Sequence, residues 1–226
     1  MSSKIRFVPT TIQGVNGLDL QVMDPAATVQ DYLDAVNRAI EEALLYRGRA
    51  DREHCLGCDL CCQERIPLTW IDVLRLREHI ASGEKLTAFI RRYAHVHAEG
   101  SALDITLRLN PQGRCLLLNT GRKACLHYGR RPLVCQTFIC CPQTRRARKL
   151  REQIVNLGED ELVRQWLLEN RRLNSAPHID SASGTVRVRL EDWVPTPFNG
   201  KTAFDQVPLR ELCPPALWRE MTATGK

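Results

Sequence analysis

Cys55, Cys58, Cys61 and Cys62 fall within eight positions, in the run HCLGCDLCC at 54–62. Two thiols at Cys-x2-Cys spacing, with Gly57 allowing a tight backbone path between them, can grip one soft metal ion. Four cysteine thiolates can equally hold an iron–sulfur cluster. Electrostatics favours a bound cation: two thiolates about 4 Å apart repel by roughly 4 kcal/mol at an effective dielectric near 20. A metal both ionises such thiols and holds them together. Cysteines packed as small hydrophobes explain single positions well, but not four in eight residues. The adjacent Cys61-Cys62 pair is a sharper clue. Neighbouring side chains tend to diverge, so either one of the two ligates while the other packs, or they serve two neighbouring sites.

The missing ligands lie further along. The chain of 226 residues has ten cysteines, and its second half supplies Cys115, Cys125, Cys135 and Cys140, with Cys141 beside the last. The candidate metal set is therefore Cys55, Cys58, Cys61, Cys62, Cys115, Cys125, Cys135 and Cys140. Eight thiols suffice for two four-thiolate zinc sites, or for one 4Fe–4S cluster with sulfurs to spare. Adjacent and surplus thiols favour the 4Fe–4S cluster, with zinc as the alternative. Cys55-x2-Cys58-x2-Cys61 and Cys141-Pro142 also echo parts of a bacterial ferredoxin run, though the fourth ligand of that run is not at its place.

The elements that must position these thiols can be read from periodicity. Val29, Leu33, Val36, Ile40 and Leu44 share one face of a helix over about 26–46, ending near Gly48. Residues 4–24 read as irregular or weakly extended. Thr69 with Asp72 makes a capping box that opens a second helix, and a third covers about 84–98. His95 and His97 then lie on different faces of that third helix. Leu103, Ile105, Leu107 and Leu109 alternate with polar residues as a strand. The turn Asn110-Pro111-Gln112-Gly113 returns it to a second strand at 114–118 carrying Cys115. A basic helix fills 143–157, Gly158 breaks it, and Glu159, Asp160 and Glu161 open another. Val186, Val188 and Leu190 alternate with Arg187 and Arg189 in a late strand, and a short helix is expected near 215–222. The fold class is α+β, mainly helical with a small antiparallel hairpin around a cysteine-rich centre. Three regions follow: an N-terminal segment and helix at 1–53, a cysteine core at 54–142, and a helical extension at 143–226.

Four segments carry a family resemblance. CLGCDLCC resembles the CxxCxxCC motif of bacterial cysteine-cluster proteins described as zinc- or iron-chelating, and IPLTWIDVLRL resembles the segment that follows it there. GRCLLL resembles their glycine-x-cysteine strand, and ACLHYGRRPLVCQTFIC resembles their C-x-x-Y-x-x-RP-x-x-C-R-x-F-x-C block. The resemblance spans about 54–142, with Gln136 where the family has arginine and with Cys141 and Cys213 as extras. It implies a metal site. One branch of the family includes the flagellin lysine methylase, associated with an iron–sulfur cluster, so the resemblance also admits a cluster-dependent modifying enzyme such as a methyltransferase. The chain has no G-x-G-x-x-G loop and no C-x3-C-x2-C radical spacing, since residue 54 is histidine.

Composition narrows the setting. A globule of this length buries roughly 70–75% of the surface its unfolded chain exposes, so it needs no disulfide staples. The N-terminal run MSSKIRFVPT reads as no signal peptide, and no stretch approaches a membrane span. Clustered thiols in a reducing cytoplasm point to metal rather than to disulfides. Net charge is +6 and pI about 8.9. The run TRRARKLR at 144–151 could meet a protein or acidic partner, but it lacks the interleaved aromatics of a single-strand nucleic-acid binder. His54 and His127 read as neighbours of the thiols rather than ligands. Arg130 and Arg131 would offset thiolate charge.

Overall fold

The structure is a computed structural model that describes residues 3–42 and 58–223. Cys55, His54, Gly57, the end of the first helix and Gly48 lie outside the described residues. The fold is α+β. In chain order, strands β1 (Ile5–Ile12) and β2 (Val15–Val22) precede helix α1 (Val29–Glu42). A 3-10 turn at Leu60–Gln63 leads to α2 (Trp70–Ile80), α3 (Leu86–Tyr93), β3 (Ala94–Glu99) and β4 (Ala102–Leu107). Short strands β5 (Leu118–Asn119) and β6 (Ala124–Cys125) precede α4 (Leu133–Thr137) and the long α5 (Arg145–Arg172). Strand β7 (Ser181–Ser183) and helices α6 (Leu209–Leu212) and α7 (Pro215–Thr222) complete the described elements. No described helix is long and apolar enough to cross a membrane.

The chain divides into two compact units. The first comprises residues 1–58, 136–154 and 201–226. Its β1 and β2 form a full antiparallel hairpin, Ile5 opposite Val22 through Ile12 opposite Val15. This corrects the reading of 4–24 as irregular. The two-residue turn Gln13-Gly14 has φ of 51° and 81°, the doubly positive geometry whose twist matches that of paired strands. Behind the hairpin, Val29, Tyr32, Leu33 and Val36 of α1 are buried with Leu18, Leu20, Leu150 and Phe204. Asp19 fastens β2 to the start of α5. Its carboxylate takes a bidentate pair from Arg146, Nε to Oδ1 at 3.0 Å and Nη2 to Oδ2 at 2.7 Å, and a bond from the Thr144 hydroxyl at 2.5 Å. Burial opposes ionisation of Asp19, yet these donors hold its pKa below the ordinary value. Arg146 also donates to the Glu220 carbonyl, and Arg151 to the Thr137 hydroxyl. Two cations of the basic run are thus engaged inside this unit.

The second unit comprises residues 59–135 and 155–200. The capping box at α2 forms as read: Thr69 Oγ1 accepts from the Asp72 backbone, and Asp72 accepts from the Thr69 backbone. The third helix is shorter than its apolar spacing suggests. It ends at Tyr93, and Ala94, Val96 and Ala98 then alternate with His95, His97 and Glu99 as β3. Strand β4 pairs with β3, Val96 opposite Ile105, rather than mainly with 114–118. The expected hairpin survives as the Asn110–Gly113 turn, closed by Gly113 N–H to Asn110 O at 2.9 Å, and an isolated bridge between Leu109 and Cys115. Gly158 does not break the basic helix, which runs on from Arg145 to Arg172. A Cβ at Gly158 would lie 2.7 Å from Thr69 Cγ2. The glycine therefore serves close packing against the cap of α2. The late strand is also displaced. Ser181–Ser183 pairs in parallel with β3, whereas 185–189 lies outside any strand.

Candidate metal centre

The thiols of the second unit gather on four short pieces of backbone. The 3-10 turn presents Cys61 and Cys62. It is tied to the next segment by Cys115 N–H donating to the Cys62 carbonyl at 2.8 Å, and by the Asp59–Arg114 ion pair at 2.6 Å. Cys115 follows the Asn110 turn, whose Asn110 Oδ1 accepts from the backbone of Gln112 and Arg114. Cys125 lies on β6, opposite Leu118. Cys135 rides on α4, immediately after Arg131 and Pro132 have turned the chain.

Helix α4 is held by a residue whose full role was not legible in the sequence. Asp72 Oδ2 closes the cap of α2, accepting from Thr69 N at 3.0 Å and Thr69 Oγ1 at 2.8 Å. Its second oxygen, Oδ1, accepts from Leu133 N at 2.8 Å. One carboxylate thus terminates two helices and fixes the turn that carries Cys135. Burial pushes its pKa up to about 6 against the pull of those donors. The sequence announced the first cap through the Thr69-Asp72 spacing. Nothing local announced the second, sixty residues away.

Cys61, Cys62, Cys115, Cys125 and Cys135 are close enough to perturb one another's ionisation. The hydrogen bond between Cys61 and Cys62 raises the Cys61 pKa, reinforced by burial, and lowers that of Cys62. The two side chains therefore share one hydrogen bond, which sets their ionisation apart. This corrects the expectation that adjacent side chains diverge: the tight 3-10 turn brings them together. Burial raises Cys115 to about 11, raises Cys125, and raises Cys135 well above the ordinary thiol value. Opposing features favour sulfur anions. Leu117 N–H points at Cys115 Sγ and His127 N–H at Cys125 Sγ, each at 3.4 Å. The Arg131 cation acts on Cys61 and Cys125. Arg131 is itself placed over the Tyr128 ring at 3.7 Å, donating Nε to the Tyr128 carbonyl at 3.0 Å.

The remaining predicted residues are distributed as follows. Cys58 and Cys140 belong to the first unit, and both are half-buried. Cys141 is buried there, and Cys213 is half-buried near the C-terminal helices. Among the described residues no two cysteines are joined in a disulfide. No three described His, Cys, Asp or Glu side chains stand ready-made at metal-holding geometry. The donor chemistry nevertheless fits a soft metal, with five sulfurs, backbone N–H groups aimed at two of them and one arginine cation. His127 is not part of a ligand group. Its ring meets His79 edge-on at 4.9 Å, and burial lowers its pKa.

His95 and His97 depart furthest from expectation. As residues two apart on a strand they share a face, and both contact one hydroxyl. His95 Nε2 lies 2.9 Å and His97 Nδ1 2.8 Å from Ser181 Oγ. The neighbouring Asp180 accepts from Val96 N at 2.9 Å and Arg108 Nη2 at 2.8 Å. The period-two alternation of 94–99 was the signal that could have found this clasp.

Residues 54–158 match the model of a family named CxxCxxCC and described as "Putative zinc- or iron-chelating domain". No curated protein and no solved structure matches the chain. The matched stretch contains the whole thiol cluster and the Asp72 and Arg131 that frame it. By that match, residues 54–158 are similar to the CxxCxxCC domain, and the similarity takes in the thiols of both the 58–62 loop and the 115–141 segment.

Proposed function

We propose that the chain holds an iron–sulfur cluster of the 4Fe–4S type, and that this cluster supports redox or group-transfer chemistry. The observation that carries the reading is the mutual proximity of Cys61, Cys62, Cys115, Cys125 and Cys135. One cluster takes four thiolates, and this group supplies a surplus. Cys55, Cys58 and Cys140 are the further candidate donors that the sequence offers. The cluster, when bound, supplies an electron-transfer centre or an electrophilic iron. The chain's own residues do the rest. Leu117 N–H and His127 N–H donate to sulfur, which raises a cluster's reduction potential. Arg131 offsets thiolate charge, and Asp72 orients the turn bearing Cys135. One branch of the resembled family includes the flagellin lysine methylase, which makes protein modification one of the group-transfer reactions to test.

Zinc is the second reading, since the description of the family admits zinc as well as iron. A structural zinc site contributes about 10–16 kcal/mol of apparent binding free energy, so its removal would unfold the surrounding fold. Anaerobic purification followed by metal and acid-labile sulfide analysis separates the two. Iron with equimolar sulfide, and a visible absorption that bleaches on reduction, is the expected result. A colourless protein with stoichiometric zinc and no sulfide would leave zinc in its place. Protein free of both metals after anaerobic preparation would sink metal binding altogether. Cys115→Ser is expected to remove most of the bound metal, measured as metal per chain.

A further inference from the structure

The stretch Thr185–Leu190 reads TVRVRL, a strand by composition and alternation, yet no strand of the fold pairs with it. Arg189 has extended backbone, with φ −130° and ψ 139°, and the stretch is held beside the β3–β4 turn by one bond, Arg187 N–H to the Gly100 carbonyl at 2.8 Å. Among the described residues the peptide groups of Val186 and Val188 have no backbone partner. Val186 and Val188 are half-buried, and Arg187 and Arg189 are exposed. The stretch borders a cavity of about 740 Å³ whose apolar wall is Leu103, Pro177, Ile179, Val186 and Val188. Ser101 and Asp192 continue that cavity into a second of about 400 Å³.

We propose that this groove accepts an extended segment of a partner protein, added as a β-strand along 185–189. The segment would carry apolar side chains at alternate positions and a carboxylate between them. Unpaired peptide groups supply the ladder and the apolar wall supplies pockets for alternate side chains, the two ingredients of strand addition. Charge selects the occupant. Arg189 is engaged by Asp192 at 2.9 Å, whereas Arg187 has no ion pair among the described residues. A second copy pairing through the same stretch would set Arg187 and Arg189 against arginine, which is destabilising. An acidic strand meets Arg187 instead.

The probe is a fluorescein-labelled Val-Glu-Val-Glu-Val peptide titrated against the full chain as purified, read by anisotropy. Arg187→Glu is expected to weaken binding at least about tenfold, and a Val-Lys-Val-Lys-Val peptide to recover it. N-methylation of alternate peptide amides is expected to abolish binding without altering the protein. Absence of binding, equal binding of the acidic and basic peptides to the unmodified chain, or indifference to N-methylation would each overturn the proposal. So would self-association, seen by light scattering, that Val188→Pro abolishes by removing a ladder N–H, because the occupant would then be a second copy.

Discussion

A single carboxylate, Asp72, joins two helix termini, and its replacement tests how strictly the thiol turn is held. Asp72→Ala removes the buried carboxylate that accepts from the N–H groups of Thr69 and Leu133. The expected loss is about 1–3 kcal/mol, measured by denaturant unfolding, with lower metal content per chain. Asp72→Asn keeps one acceptor oxygen and recovers part of both. Glu159 gives a pH test. It accepts from Ile105 N at 3.0 Å, and burial, aided by Asp104 and Asp160, raises its pKa to about 8 from 4.5. The folded state therefore binds this proton more tightly than the unfolded state. Its contribution to stability is fully present below pH 4.5 and is lost as pH rises through about 8. Glu159→Gln should flatten that part of the stability profile, seen as a denaturation midpoint that no longer falls across the window. Gly158→Ala raises intrinsic helix propensity by about 1 kcal/mol. It nevertheless drives a methyl to 2.7 Å from Thr69, so a net destabilisation of about 1–3 kcal/mol is expected in the same assay.

Among the elements, legibility followed locality. The capping box of α2, the Asn110–Gly113 turn and helix α7 are written in neighbouring residues and formed as read. Gly158 misled because its reason lies in Thr69, far along the chain. Residues 94–99 misled because Tyr93 and Val96 continue a helical spacing while Ala94, Val96 and Ala98 begin a strand, and only the pairing with β4 decides. That pairing places His95 and His97 on the Ser181 hydroxyl. Burial lowers the His95 pKa from 6.5, Asp180 opposes this, and Arg65, Arg108 and His97 reinforce it. The folded state thus favours the neutral ring, and its contribution is lost as pH falls below 6.5. Amide exchange at Ser181–Ser183 should accelerate over that range. Ser181→Ala should remove much of the change, and the β1–β2 hairpin should not share it.

For the whole molecule, the site was legible as a set of residue types and only partly as an arrangement. Repetition of cysteine announced metal chemistry, and the match over 54–158 supports that reading. The order of the chain gave no sign that Cys61 and Cys62 would share a hydrogen bond, because a 3-10 turn is set by tertiary ties such as Cys115 to Cys62. The N–H groups aimed at sulfur were likewise invisible before the chain folded, whereas the charge of Arg131 was legible from its place beside the cysteine block. The double cap by Asp72 has a consequence for transplantation. A peptide spanning 115–141 would carry Cys115, Cys125, Cys135, Cys140 and Cys141, yet it would lack the carboxylate that anchors Leu133. Grafted onto another scaffold, that peptide would bring the sulfurs without their geometry. The smallest portable unit must also include the helix that begins at Thr69.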